Sequence, residues 1–111
     1  MADFYVRQND LREAIQATLK GADGVAVDLS SGVSSVRYNM RSKVTGAAKV
    51  DAAATIVTAA SGIVKYQWVA GDTDTPGLYN AEFEVLFSSG ASPLSFPNRG
   101  YLLVEITPEL G

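Results

Sequence analysis

The sequence predicts an all-β fold, an antiparallel β-sandwich of seven to eight strands forming one domain over residues 1–111. Three observations predict it. In Gly62-Ile-Val-Lys-Tyr-Gln-Trp68 the residues Val64, Tyr66 and Trp68 fall on one side of an extended chain, and Lys65 and Gln67 on the other. Beyond a turn rich in Gly, Pro and Asp, Tyr79, Ala81, Phe83, Val85 and Phe87 share a face opposite Asn80, Glu82 and Glu84. Turn signals also recur along the chain at the short spacing of all-β domains. Each strand then has one dry and one wet side, which two packed sheets satisfy; an up-and-down barrel is the architectural alternative.

Taken in order, residues 3–8 read as a short strand, an edge candidate, with Phe4 and Val6 on one face and Tyr5 on the other. Residues 11–20 fit two periods. Leu11, Ile15, Thr18 and Leu19 fall at helical spacing behind a capping pattern of Asp10 and Glu13, whereas Ile15, Ala17 and Leu19 alternate as a strand. Gly21-Ala-Asp-Gly24 reads as a turn and residues 25–29 as an extended return, a hairpin if the preceding segment is a strand. Residues 33–41 alternate cleanly, with Ser34, Val36, Tyr38 and Met40 opposite Ser35, Arg37, Asn39 and Arg41. Residues 43–50 read as a loop. The alanine-rich block 52–58 is too short to nucleate a helix and predicts a hairpin pairing Ile56 and Val57 with Val64 and its neighbours. Residues 88–98, carrying Gly90, Pro93 and Pro97, read as a long loop, and residues 101–107 as a last strand with Leu102, Val104 and Ile106 inward.

Composition narrows function. Hydrophobic residues make up 47% and charged ones 19%, a globular balance, and a net charge of -3 supplies no field favouring nucleic acid or an anionic membrane. No run of about 18 apolar residues and no signal-peptide pattern is present, so the expectation is a soluble product of the cytoplasm. His and Cys are both absent, which removes imidazole bases, thiol nucleophiles, nitrogen or sulfur zinc sites and disulfides. Packing alone must hold the fold together.

As a set, Gly62-Ile-Val-Lys-Tyr-Gln-Trp68, Gly71-Asp-Thr-Asp-Thr-Pro-Gly-Leu-Tyr-Asn-Ala-Glu-Phe83 and Phe96-Pro-Asn-Arg-Gly-Tyr-Leu-Leu-Val-Glu-Ile106 resemble the immunoglobulin-like N-terminal domain of phage baseplate upper proteins and related tail proteins. Arg7-Gln-Asn-Asp10, Val27-Asp-Leu29 and Val36-Arg-Tyr-Asn-Met-Arg41 follow in the family's order, so the resemblance spans nearly the whole chain. It implies an immunoglobulin-like antiparallel β-sandwich and an extended segment at 11–20. Ala14 departs from the proline the family often carries nearby, which leaves a helical turn at 11–15 open. The resemblance further implies a non-enzymatic structural protein of the virion, in the tail or baseplate, made in the bacterial host cytoplasm and contacting other phage structural proteins or a second copy of itself. Charge and the missing ligand residues lead to the expectation of no cofactor, nucleic acid or membrane, and beside the larger family members this chain reads as either an excised domain or a short stand-alone tail or capsid-decoration protein. Trp68, Gly77 and Tyr79 form its structural corner, with Tyr79 placed like the tyrosine corner of immunoglobulin domains.

Few groups remain that could carry chemistry. Asp72 and Asp74 could bind calcium but lack the further ligands of a calcium loop, and capping turn amides is the simpler role. Glu82 and Glu84 could imitate a glycosidase pair; a solvated face paired with Lys65 or Arg37 explains them better. Tyr66, Trp68, Tyr79, Phe83 and Phe87 would form a sugar-stacking platform only if exposed, and their alternation favours a core. Carbohydrate binding or adhesion is accordingly the competing function. Pro93, Leu94, Phe96 and Pro97 mark a contact loop, or a loop folded back over the domain. Arg37, Arg41, Lys43 and Lys49 make a mild basic patch.

Overall fold

The computed structural model describes residues 2–21, 23–97 and 100–110. Ala22 of the turn at 21–24, Asn98 at the end of the predicted loop and Arg99 just after it lie outside the described residues. Eight strands form and no helix occurs among the described residues: β1 (Phe4–Arg7), β2 (Ala14–Thr18), β3 (Val33–Ser42), β4 (Ala48–Thr58), β5 (Ile63–Gln67), β6 (Gly77–Phe87), β7 (Leu94–Phe96) and β8 (Leu102–Thr107).

They follow one path, β1-β8-β6-β3-β4-β5-β2, with β7 added to β6. The sheet is mixed, which corrects the all-antiparallel expectation: β1 runs parallel to β8, Phe4 opposite Val104 and Arg7 opposite Thr107. Strand β4 changes partner along its length. Ala48 to Ala54 pair with β3, and Thr55 to Thr58 pair with β5. The path also curls on itself. Tyr38 on β3 stacks on Tyr66 of β5 at 4.8 Å between ring centroids. Two strand spacings in a flat sheet would hold them about 10 Å apart. Phe4 of the first strand in the path lies 6.1 Å from the ring of Trp68, which follows β5, the strand next to last at the other end.

The alanines of β4 make this closure possible. Ala52 sits opposite Tyr38, and Ala52 and Ala54 pack partly buried against the core, so small side chains leave room for the rings of both neighbouring strands to meet. Residue types that locally suggest a helix are here selected by volume. The core itself follows the predicted alternation: Tyr38, Phe83, Val64 and Val104 are fully enclosed, with Met40, Val36 and Ile106 around them. Enclosing each such side chain contributes roughly 1.5–3 kcal/mol relative to leaving it exposed.

Several boundaries differ from expectation. The segment 11–20 is extended at β2, where Ile15 faces Tyr66, and a bend rather than a helical turn precedes it; burial of Ile15 and Leu19 on the core side decides between the two periods. The following hairpin shrinks to one bridge, Lys20 with Ala26, although Leu29 is still buried. Residues 48–50, expected in a loop, begin β4, because Val50 opposes Met40 and fills the core. A bulge between Val33 and Ser35 breaks the alternation at the start of β3 and exposes Ser34. Within the expected loop 88–98 lies β7, its Phe96 opposite Phe83 and its Leu94 opposite Val85.

Candidate functional site

The structural corner between β5 and β6 is fastened by its own polar groups. Tyr79, at the start of β6, donates from its hydroxyl to the Thr75 carbonyl at 2.7 Å. Asp72 Oδ2 accepts from the Val69 amide at 2.9 Å and from the Tyr66 hydroxyl at 2.5 Å. Burial, with the Asp72 bond adding to it, pushes the Tyr66 hydroxyl above the ordinary tyrosine range, and burial does the same to Tyr38. Thr73 is fully buried; its carbonyl accepts from the Asn9 amide at 2.9 Å, and its hydroxyl donates to the Asp10 carbonyl at 3.3 Å. Asp74 turns outward to Lys49 and to the Thr75 hydroxyl, and these hydrogen bonds hold its carboxyl below the usual range.

Asp72 and Asp74 therefore diverge, each capping or bridging its own partners, and no cluster of three metal-ligating side chains exists among the described residues. Gly77 opens β6 beneath this corner. Trp68 is 2% exposed and meets Tyr66 and Tyr38 edge-on at 5.6 and 5.8 Å. It is a core residue, its Nε1 buried without a protein acceptor, and it cannot serve as a stacking platform.

The predicted contact loop divides in two. Phe96 is 3% exposed and belongs to the core, whereas Leu94 is 50% exposed and Pro93 lies beside it in solvent; Pro97 is half-buried. Only the Pro93 and Leu94 part of that set offers a free apolar surface.

On the outer face the basic patch is also divided. Arg37 forms an ion pair with Asp51 at 2.7 Å, and Lys49 with Asp74. Arg37 lies opposite Glu84 in register but spends its guanidinium on Asp51, while Lys65 sits on β5 between Gln16 and Thr55, away from β6, so the expected pairing with Glu82 and Glu84 does not form. Arg41 and Lys43 instead border a cavity of about 270 Å³ over β3 and β6, with Asn39, Asn80, Glu82 and Tyr101. Asn39 opposes Glu82, and Arg41 opposes Asn80, directly across the strand pair. The cavity exists because the neighbour of β6 changes at residue 82. Ala81 pairs with Leu102 of β8, Phe83 with Phe96 of β7, and Tyr101 stands where the chain enters β8.

Alternation alone places Asn39, Arg41, Asn80 and Glu82 outward. What sequence could not supply is the pairing of β3 with β6, some forty residues apart, that brings them together. No protein-family model matches the chain, and neither a curated protein nor a solved structure matches it.

Proposed function

We propose that this protein is a non-enzymatic structural module of a bacteriophage particle, an immunoglobulin-like sandwich of the tail or baseplate that docks onto other phage structural proteins or a second copy of itself. The observation that carries the reading is the Tyr79 hydroxyl bonded to the Thr75 carbonyl, a corner of the kind found at the start of a sandwich strand in immunoglobulin domains. The change of partner along β4 supports the two-layer description, with β1, β8, β6, β7 and β3 in one layer and β5 and β2 in the other. A chain without His or Cys, whose loop aspartates are spent on turn amides and a lysine, fits an assembly role better than catalysis.

In this reading Leu94, with Pro93, is the apolar contact, and Phe96 anchors it from beneath. The test is incorporation. The protein should copurify with particles released by the cell that encodes it, and Leu94→Ser should keep the wild-type melting temperature yet be missing from purified particles. Absence of the wild-type chain from such particles refutes the assembly role, and normal incorporation of Leu94→Ser moves the contact elsewhere.

A further inference from the structure

The cavity on the outer face has the chemistry of a binding site, and we propose that it takes one acidic saccharide unit, a hydroxyl-rich ring bearing a carboxylate. This goes beyond the assembly role and does not depend on it. The floor consists of two cross-strand pairs, Asn39 with Glu82 and Arg41 with Asn80. Two amides, a carboxylate and a guanidinium thus stand side by side on one rigid surface. Amides both donate and accept, the carboxylate accepts and the guanidinium donates, a set that matches neighbouring ring hydroxyls, each of which is donor and acceptor at once. Tyr101, 60% exposed, stands at the edge and offers an aromatic face to the apolar side of a sugar ring. At about 270 Å³ the space lies just below the roughly 300 Å³ at which small-ligand sites begin, which suits a single ring rather than a long oligomer.

The charge sets the acidic preference. Arg41 and Lys43 against Glu82 leave one excess positive charge around the cavity of a protein whose net charge is -3. The wall that carries Lys43 is held in place before any ligand arrives. The Lys43 amide donates to Leu78 O at 3.0 Å, the Gly46 amide to Ser42 O at 2.8 Å, and the Ser42 amide to Ala47 O at 2.9 Å. Arg41 reaches the Gly46 carbonyl at 3.4 Å, long enough to be exchanged for a ligand carboxylate in a better bidentate geometry.

Saturation-transfer NMR with galacturonate, galactose and propionate, each at millimolar concentration, tests this. Saturable transfer from the protein is expected for galacturonate, weaker transfer for galactose, and least for propionate. Tyr101→Ala should weaken galacturonate by about tenfold, the worth of one aromatic contact, and Arg41→Gln should erase most of the preference for galacturonate over galactose. Tyr5→Ala serves as the control, because Tyr5 is another exposed tyrosine of the same face but lies opposite Glu105, away from the cavity, and should bind as wild type. Glu82→Gln, nearly isosteric, removes the one negative charge of the lining and should raise the preference for galacturonate over galactose. Three results each overturn the proposal: no transfer to either sugar, propionate binding as well as galacturonate, or galacturonate binding that is unchanged in Tyr101→Ala.

Discussion

Gly62 and Gly46 hold almost the same backbone angle, φ 67° and 76°, in turns that look alike in sequence, yet their surroundings are opposite. The β4–β5 turn at Gly62 is built into the domain. Its carbonyl accepts from the Leu19 amide at 2.8 Å, and a Cβ there would stand 2.5 Å from Val27 O and 3.0 Å from Leu19 O. The β3–β4 turn at Gly46 stands in solvent, with nothing within 4 Å of a Cβ. The same division separates the β5–β6 corner, with its buried Trp68 and Thr73, from the exposed loop before β7. Connections next to β5 are part of the core; those at the outer face are not. Turn chemistry specifies a conformation, and only tertiary contact decides how much stability rests on it.

The largest expected effect tests the inner connections. Trp68→Ala should destabilise the domain by roughly 3–5 kcal/mol in denaturant titration followed by circular dichroism, since the site cannot collapse around a lost indole flanked by Tyr38, Tyr66 and Phe4. A near-neutral result would place Trp68 outside the core and dissolve the contrast. Next comes the glycine pair. Alanine at either position incurs about 1–2 kcal/mol for the left-handed backbone, but Gly62→Ala must also displace main chain at 2.5 Å and should cost clearly more than Gly46→Ala. Equal losses would mean that the packing of Leu19 and Val27 over the turn contributes nothing.

A smaller effect is expected at the corner. Tyr79→Phe deletes the hydroxyl bond to Thr75 O and should cost about 1 kcal/mol, read as a shift of denaturation midpoint at unchanged slope. Smallest is the surface bridge. Lys49 and Thr75 hold the Asp74 carboxyl below its ordinary range, so its contribution is complete above about pH 4 and is lost as pH falls through the depressed folded value. Lys49→Met should therefore flatten the fall in melting temperature below pH 4 while changing little at neutral pH; an unchanged acid limb would show that Lys49 does not set it.

Those elements that sequence revealed are the ones whose two faces differ chemically. Strands β5, β6 and β8 present apolar residues at every second position against a more polar opposite face, and the structure buries Val64, Tyr66, Tyr79, Ala81, Phe83, Val85, Val104 and Ile106 accordingly. Strand β2 was ambiguous because Leu11, Ile15 and Leu19 satisfy both periods, and only contact with Tyr66 and Val64 on β5 separates them. Strand β7 hid behind Pro93 and Pro97, which bracket three residues that need a partner from β6 to become a strand at all. The corner was legible through Tyr79, a local feature. The outer cavity was not, because its floor is a register between distant segments and its edge residue, Tyr101, precedes its strand.

The parallel pairing of β1 with β8 gives the molecule a mechanical character. Tension applied at residues 3 and 108 pulls the first strand and the last in opposite directions along their common axis, so the ladder from Phe4 with Val104 to Arg7 with Thr107 is loaded in shear and its bonds must yield together. An antiparallel pair with both ends on one side would instead peel open one bond at a time. Side chains extend the clamp beyond the ladder: Leu103 N donates to Asp3 Oδ2 at 2.7 Å, Asn9 Nδ2 to Glu109 Oε1 at 2.9 Å, and Arg7 to Pro108 O at 3.2 Å. A domain joined this way resists tension between residues 3 and 108 through the whole ladder at once.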